Sequence, residues 1–436
     1  MSRYTSATDA DRQEMLAAIG VESIDDLFAD VPEGVRLGRA LDLPPGKPEQ
    51  EVYARLRDLA AKNVSTEDEI SFLGAGMYDH YVPALIDSIL ARSEFLTPYT
   101  PYQPEISQGG LQVMFEYQTA ISELTGLPVS NASVYEGPSA VAAAGWLAHT
   151  HTRKPKFLVS DGLHPHSLET LRTTSAGWGT EIETIPLNDG LTELGEVGDD
   201  VAAIFVAQPN FYGAIEDLEA LSAAKGDALL IVQADPLTLG VLKPPGEFDV
   251  DLCVGEGQSL GNRLDFGGPS FGFFAAKQDY IRRMPGRIAG ETTDVDGRRG
   301  FVLTLQTREQ HIRREKATHN ICTAQALNAL AGMIYLSWLG RQGIVELGEL
   351  LVSRTHYARQ TLTAIDGISD WHSQPVVREF AVKLDADVLD VVEYCVERGV
   401  NPGYPLAGNG LLVAITEQRS KADIDRLAEV LKEALA

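Results

Sequence analysis

The sequence predicts an α/β protein in which a mostly parallel sheet has helices on both faces and is followed by a small α+β domain. Between residues 127 and 276, short apolar runs alternate with segments of helical length, whereas the first ninety or so residues show no strand-like alternation. Continuous apolar runs are typical of strands buried on both faces. We therefore expect a helical N-terminal leader or interface arm (1–95), a large α/β domain (96–317) and a small C-terminal α+β domain (318–436).

The sequence of the leader predicts short helices joined by turns. Ser23 with Asp26, and Ser65 with Asp68, have the spacing of a capping arrangement at a helix start. The leader is acidic and only loosely apolar, so it can bury little surface by itself. We expect it to wrap a neighbouring subunit.

A loop rich in aromatic residues and proline follows at residues 95–110, with the sequence FLTPYTPYQPEISQGG. Each proline fixes its own φ and pushes the preceding residue toward an extended conformation, so the loop should be rigid. It displays hydroxyl and amide side chains. An apolar stripe at helical spacing from Leu111 to Leu124 predicts a helix that ends at Gly126.

The large domain is expected to bind ligands where its parallel strands end, because open α/β sheets bind at the carboxyl ends of their strands. Asp235 and the glycine-rich residues 254–274 fall at such ends. The candidate strands are 156–160, 182–187, 201–207, 228–234, 250–255 and 270–275, and the intervening helices include 166–176 and 215–224. The C-terminal pattern gives helices at 318–340, 345–365, 388–398 and from 421, and strands at 376–384 and 410–416.

The amino-acid composition limits the kinds of molecule that this protein is expected to bind. Acidic residues outnumber basic ones 62 to 36, which gives a net charge of -26 and disfavours nucleic acid and anionic membranes. Cys253, Cys322 and Cys395 are odd in number, widely spaced and set in apolar segments, so we expect buried, reduced thiols. With neither an export signal nor an apolar run long enough for a bilayer, the sequence predicts a soluble, cytoplasmic protein.

Residues 254–262, VGEGQSLGN, are polar and glycine-rich, so the backbone there should approach another group closely. The whole layout is typical of the aspartate-aminotransferase-like fold, fold type I of the pyridoxal-phosphate-dependent transferases. In that fold a helix N-terminus holds the phosphate and an aspartate after a strand pairs with the pyridine nitrogen. A lysine about two dozen residues further on binds the cofactor covalently.

Two of these three features have candidates. Residues 131–140, which include Ser139, open an alanine-rich helix, but Glu136 in that turn would repel a phosphate. A capped helix packed against the sheet is the alternative interpretation. Asp235 directly follows an apolar run, where an aspartate can equally form a turn or cap a helix.

The lysine is missing. Counting on from Asp235 leads to the stretch from Gln258 to Leu260, and none of its side chains can form an imine. The nearest lysines are Lys243, beside two prolines, and Lys277, which reads as a solvent-side residue after the next strand. The sequence therefore predicts that this chain has no Schiff-base lysine.

Two histidine pairs have a metal-like appearance, His149 with His151 and His164 with His166. No cysteine or acidic residue has a suitable spacing to complete a metal site around them. We expect loop and surface histidines and no metal. Residues 308–316, REQHIRREK, are expected to form a charged connector or a subunit contact.

Four motifs together resemble one family: YTPYQPEISQG at 99–109, GEGQ at 255–258, FGGP at 266–269 and REQHIRREKAT at 308–318. The family is the glycine decarboxylase P-protein of the glycine cleavage system, and the resemblance is to subunit 1 of its two-subunit form. It extends over essentially the whole chain.

The resemblance implies an enzyme that decarboxylates glycine, releases CO2 and passes the aminomethyl group to the lipoyl arm of the H-protein. It also implies that pyridoxal phosphate is bound covalently by subunit 2 and not by this chain, in an (αβ)2 heterotetramer. Active sites of this fold commonly lie at subunit boundaries. The candidates from this chain are Tyr99, Thr100, Tyr102, Gln103 and Ser107, with Leu260 marking the region of the lost lysine and with Ser139 and Asp235 as vestigial cofactor residues.

Two alternatives remain open. The chain could be a structural or regulatory binding protein that contributes no active-site residue. In that case the loop at 95–110 only stabilises an interface. It could also be a standalone pyridoxal phosphate enzyme that uses Lys243 or Lys277.

Overall fold

The structure, a computed structural model, describes residues 6–322 and 324–436. It has two compact units, Met1–Val64 and Ser65–Ala436. The predicted domain boundaries after residues 95 and 317 stay predictions. None of the helices in the described part of the chain is long and apolar enough to cross a membrane.

The first unit contains α1 (Asp9–Ile19) and α2 (Glu49–Ala60). Thr8 caps α1, since its hydroxyl accepts a hydrogen bond from the backbone N–H of Asp11 at 3.2 Å. Within residues 6–64, Leu16 is the one buried large apolar side chain. The unit therefore has almost no apolar core of its own.

The helices and strands of the second unit alternate as the sequence predicts. Its helices are α3 (Ala84–Leu90), α4 (Ser93–Leu96), α5 (Gln108–Thr125), α6 (Gly137–Thr152), α7 (Pro165–Trp178), α8 (Leu218–Ala224), α9 (Gln310–Arg313), α10 (Ala326–Thr363, interrupted at Gly340), α11 (Val388–Val396) and α12 (Lys421–Ala434). Its strands are β1 (Ile70–Ser71), β2 (Val129–Ser130), β3 (Lys156–Ser160), β4 (Glu181–Ile185), β5 (Leu187–Asn188), β6 (Leu191–Thr192), β7 (Val201–Gln208), β8 (Leu229–Ala234), β9 (Leu252–Glu256), β10 (Gly272–Ala276), β11 (Ile288–Thr293), β12 (Arg299–Thr304), β13 (Ile368–Asp370), β14 (Glu379–Leu384), β15 (Val400–Asn401), β16 (Tyr404–Leu406) and β17 (Gly410–Ala414).

The central sheet has seven strands in the order β2-β10-β9-β8-β7-β3-β4. Strands β4, β3, β7, β8 and β9 run parallel, while β10 is antiparallel to both of its neighbours. The predicted fold class, a mostly parallel sheet with helices on both faces, is confirmed.

Alternate residues of the buried strands enter two different cores, one on each face of the sheet. In β8, Leu230 and Val232 belong to the core that includes residues of α5 and α10, whereas Leu229 and Ile231 belong to the core that includes α6. Because both faces of these strands are buried, their sequences are continuous apolar runs. It also leaves the strand ends as the place where polar side chains can gather.

The C-terminal part of the second unit has an antiparallel sheet in the order β13-β14-β17-β16. Phe380 and Val382 of β14 share a core with Leu427 and Leu431 of α12. The predicted α+β character of this region is confirmed.

Three local predictions are wrong. Helix α10 begins at Ala326 instead of residue 318, because the backbone at Thr318 is hydrogen-bonded to the Arg308 carbonyl oxygen at 3.0 Å and follows an irregular path. Ser65 and Asp68 bond to each other across a turn that precedes strand β1, without a helix. Cys322 is exposed, whereas the other two cysteines are buried.

Candidate functional site

A cavity of about 80 Å³ lies at the carboxyl ends of strands β7, β8 and β9. Asp235, directly after β8, and Ser259, shortly after β9, both line it. His164, Arg378 and Glu379 reach the same cavity from other elements. Two of the features that the sequence singled out, the aspartate and the glycine-rich stretch, therefore meet at one place.

Asp235 is already paired within the chain. One carboxylate oxygen accepts a hydrogen bond from Arg378 Nε at 2.5 Å, and the other accepts from the backbone N–H of Leu237 at 3.1 Å. The Arg378 side chain is 3% exposed, and its guanidinium carbon lies 3.4 Å from the centroid of the Tyr78 ring. His80 contacts the same guanidinium. The negative charge of Asp235 is thus met by a fixed, buried cation.

Glu379, next to Arg378, is held by an irregular segment at residues 74–81. Its carboxylate oxygens accept hydrogen bonds from the Tyr78 hydroxyl and from the Ala75 backbone N–H, both at 2.8 Å. Burial raises the pKa of Glu379 to about 7, against the opposing effects of these hydrogen bonds and of the arginine. A carboxyl group that changes charge near neutral pH therefore lies beside the cavity.

The N-terminus of α6, where the fold would hold a phosphate, also has an internal partner. The backbone N–H of Gly137 donates to Glu256 Oε2 at 2.9 Å. The other oxygen of Glu256 accepts from the Ser270 hydroxyl at 2.6 Å and from the Gln258 backbone N–H at 3.0 Å. Burial raises the pKa of the Glu256 carboxyl. A carboxyl group, and not an open turn, faces this helix end.

Ser139, the other predicted vestigial residue, does not line the cavity beside Asp235. Its hydroxyl donates to the Glu136 carbonyl oxygen at 2.9 Å and accepts from the Glu136 N–H at 3.1 Å, so it caps α6. It lines a different cavity, of about 520 Å³, together with Trp146 and His319. The alternative interpretation of this turn, a capped helix, describes Ser139 correctly.

The three residues at the expected position of the lysine have three different environments. Gln258 exchanges hydrogen bonds with the backbone of Tyr78, at 2.9 and 3.1 Å. Leu260 is fully buried in the apolar core, and Ser259 faces the cavity. Of these three residues, Ser259 is the one that lines the cavity.

Neither of the alternative lysines reaches the cavity. Lys277 Nζ lies 2.6 Å from Asp249 and 2.9 Å from Asp251, at the opposite edge of the sheet where β9 begins. Lys243 lies over the ring of Phe248. Among the described residues that line the cavity there is no lysine. With Asp235 and the α6 terminus already paired, these residues do not fit pyridoxal phosphate.

His164 was missed as a cavity residue, because the sequence suggested a loop or surface histidine. It precedes α7, accepts the backbone N–H of His166 on Nδ1, and lies 2.8 Å from the Ala75 carbonyl oxygen through Nε2. Burial lowers its pKa. Its position at the start of a helix that follows β3 could have suggested a place at the carboxyl edge of the sheet. No cluster of potential metal ligands occurs in residues 6–322 or 324–436.

The aromatic and proline-rich loop lies away from this cavity, on the surface. Tyr99 is 78% exposed and Tyr102 is 60% exposed. Gln103 is also exposed, and Ser107 immediately precedes α5 without capping it through its side chain. Thr100 lies 3.4 Å from Arg287, at the limit of a hydrogen bond. Tyr99, Tyr102 and Gln103 are thus exposed, whereas Thr100 and Ser107 are half-buried. None of the five lines the cavity beside Asp235.

Residues 308–316 lie beside this loop, since the ring of His311 meets the edge of Tyr102 with 6.1 Å between centroids. The prediction of a charged connector is wrong for the first two residues. Arg308 is buried and donates to the carbonyl oxygens of Leu305 and Gly286 at 3.1 Å, and burial lowers its pKa to about 10. Glu309 is 2% exposed. From residue 311 onward the segment is exposed and basic.

The family model of the glycine cleavage system P-protein matches residues 2–431. A protein of Geobacillus kaustophilus (strain HTA426) named "Probable glycine dehydrogenase (decarboxylating) subunit 1" is 48% identical over 443 residues, covering 99% of each chain. A protein of the same name from Carboxydothermus hydrogenoformans (strain ATCC BAA-161 / DSM 6008 / Z-2901) is also 48% identical, over 98% of this chain and 99% of its own.

The fold is similar to that of two solved decarboxylases. A crystal structure of glycine decarboxylase (P-protein) of the glycine cleavage system, in inhibitor-bound form, has a TM-score of 0.92 and 45% identity, and each chain is covered completely. Glutamate decarboxylase of Lactobacillus brevis CGMCC 1306 has a TM-score of 0.70 and 15% identity, over 94% of this chain and 97% of its own. The second likeness concerns the fold alone.

Proposed function

Because the chain belongs to the glycine cleavage system P-protein family, we propose that it is the subunit of a two-subunit glycine decarboxylase that does not carry the cofactor. The observation that carries this proposal is the cavity at the end of β8 and β9. Ser259 faces that cavity, and Gln258 and Leu260 are engaged elsewhere, so none of the described residues that line the cavity offers an amine to a pyridoxal cofactor.

In the proposed reaction, glycine loses its carboxyl group as CO2 and the aminomethyl group passes to the lipoyl arm of the H-protein. Pyridoxal phosphate, bound covalently by subunit 2, supplies the electron sink for decarboxylation. This chain supplies part of the surface around that site, in an (αβ)2 assembly. The printed name of the relatives, subunit 1, supports the existence of such a partner.

The surface formed by residues 98–107 and 311–316 is our candidate for the contact with subunit 2. Exposed aromatic and arginine side chains are enriched at the centres of protein interfaces, and this surface has Tyr99, Tyr102, Arg313 and Arg314. Two tyrosine rings on a proline-fixed loop lose little conformational entropy on association. We infer that Tyr99, Thr100, Tyr102, Gln103 and Ser107 extend toward the active site of subunit 2.

Helix α2 of the leader is a second candidate contact. Val52, Tyr53, Leu56 and Leu59 recur at helical spacing along one side, and each is at least 41% exposed. A helix of twelve residues is only marginally stable without packing, so an apolar stripe of this kind is expected to need a covering surface. We assign subunit 2 as that surface.

The test is to purify the chain alone and together with subunit 2. The chain alone should show no visible absorbance from bound pyridoxal phosphate and no exchange of the glycine carboxyl group with bicarbonate, whereas the pair should show both. Colour or exchange in the chain alone would contradict the proposal. Borohydride reduction followed by peptide mapping would then identify Lys243 or Lys277 if either were used.

A structural or regulatory partner is the second candidate, and the exposed apolar side chain of Ile106, 81% accessible in the middle of the loop, favours it because such a side chain serves packing. Tyr102→Ala and Gln103→Ala distinguish the two. If these residues complete the active site, turnover falls while the complex still assembles. Unchanged turnover would favour the structural role. Tyr404→Ala, at another exposed tyrosine, is the matched control.

A further inference from the structure

We propose that Glu256 and Arg378 exclude pyridoxal phosphate from this chain by occupying the two positions at which the cofactor's charges would be held. The loss of the lysine is then only one of three changes that close the site. This inference concerns the chain's own cavity and shares with the proposed function only the premise that this cavity does not take the cofactor.

Glu256 occupies the anion position. Helix α6 has sixteen residues, so its N-terminal N–H groups and dipole would favour a phosphate. Glu256 accepts the hydrogen bond of Gly137 there, and Ser270 and Gln258 hold it in place. When ionised, it repels a phosphate; when protonated, it still fills the position and engages that N–H group. Either form competes with the cofactor.

Arg378 occupies the cation position. In this fold the protonated pyridine nitrogen needs a carboxylate partner, and Asp235 is the carboxylate at the end of β8. The Arg378 guanidinium already binds it and stacks on Tyr78. A second cation next to the first would have no free carboxylate and would meet like-charge repulsion in a buried setting.

Gly76 and Tyr78, from the segment at residues 74–81, line the space that remains. Tyr78 is bonded through its backbone to Gln258 and through its hydroxyl to Glu379, and it provides the ring under Arg378. The volume left, about 80 Å³, is well below the roughly 300 Å³ at which small-molecule sites begin. The lost lysine, Glu256 and Arg378 therefore act together, and restoring a lysine alone leaves the other two in place.

The experiment compares Ser259→Lys with the same change combined with Glu256→Ala and Arg378→Ala. Each variant is incubated with pyridoxal phosphate and reduced with borohydride, and the adduct on the peptide that contains residue 259 is quantified by mass spectrometry. Ser93→Lys, at an exposed residue, measures adventitious modification. We expect the amount of adduct on S259K to remain at that background level. The amount on the triple variant should be about tenfold higher or more, because one regained hydrogen bond to a charged group has an effect of this size.

The triple variant can lose its fold, because Asp235 and Glu379 lose their cation. The doubles Ser259→Lys with Glu256→Ala and Ser259→Lys with Arg378→Ala, each of which removes only one of the two occupying groups, therefore serve as milder versions, with circular dichroism as the check on folding. Each folded double should give more adduct than S259K alone. Full modification of S259K alone, or no gain in any folded combination, would overturn the inference. Such a result leaves the proposed function untouched, which fails only if the unaltered chain binds the cofactor.

Discussion

The free energy of unfolding should fall as the pH rises toward neutrality, because Glu379 loses its proton. Replacing Glu379 by glutamine is expected to abolish this fall. Burial raises the pKa of Glu379 from 4.5 to about 7 in the folded state. The folded protein therefore holds this proton over a range in which the unfolded chain has released it. The stability from this group is complete below about pH 4.5 and is lost as the pH rises through about 7.

The magnitude follows from the shift. One pKa unit corresponds to about 1.4 kcal/mol, so the free energy of unfolding should fall by about 2 to 3 kcal/mol between about pH 5 and pH 8 through Glu379. Glutamine keeps the shape, can still accept the Ala75 N–H, and can donate to the Tyr78 hydroxyl. The variant should be close to the unaltered protein at low pH and more stable than it above neutrality.

Urea denaturation across this pH range measures the effect as the difference between variant and unaltered protein, so titrating groups elsewhere cancel. Glu219→Gln, at an exposed residue of α8, is the control for loss of a carboxylate as such. The two curves should diverge with rising pH for Glu379→Gln and stay parallel for Glu219→Gln. Parallel curves for Glu379→Gln would refute the assignment of this titration.

Three further predictions concern other parts of the molecule. Gly213→Ala should lower the free energy of unfolding by about 2 to 4 kcal/mol, as measured by urea denaturation. The reason is that φ is +91° and that a Cβ would lie 2.0 Å from the backbone oxygen of the first residue of β14. An unchanged denaturation midpoint would show that this strand can move. Arg378→Met should cost about 3 to 5 kcal/mol in urea denaturation, because it leaves the half-buried Asp235 and the cavity around it without their cation. Adding Asp235→Asn should restore more than half of this loss, and additive losses would contradict the pairing. Leu56→Ser changes a residue of α2 that is 59% exposed, so the free energy of unfolding should change by less than about 0.5 kcal/mol. Its binding to subunit 2, measured by calorimetry, should weaken about tenfold. Asp58→Asn, on the other side of the helix, is the control and should leave this binding unchanged.

The strands and the position of Asp235 could be predicted from the sequence because they depend on local patterns. A continuous apolar run followed by a polar residue predicts a buried strand and its carboxyl end, and β8 with Asp235 has this arrangement. The same pattern identified β9 and the stretch after it. These elements bring the candidate residues to one edge of the sheet without any long-range information.

The partners of Asp235 and of the α6 terminus could not be predicted in this way. Arg378 is 143 residues from Asp235, and Glu256 is 119 residues from Gly137. Neither residue type is unusual at its own position, so only the fold reveals the pairing. The burial of Arg308 escaped prediction for the same reason, since its carbonyl partners become apparent only when the backbone around Gly286 is placed.

The glycine-rich stretch shows how a correct physical inference can lead to an incomplete functional one. The backbone there does approach other groups closely: a Cβ on Gly255 would lie 2.3 Å from the Ala234 carbonyl oxygen, and one on Gly257 would lie 2.3 Å from the Phe271 ring. These neighbours belong to the chain itself. The glycines are therefore needed for packing against β8 and Phe271 whether or not a cofactor is bound. Glycine alone cannot separate a ligand loop from a packed loop, whereas the charges beside it, Glu256 here, can.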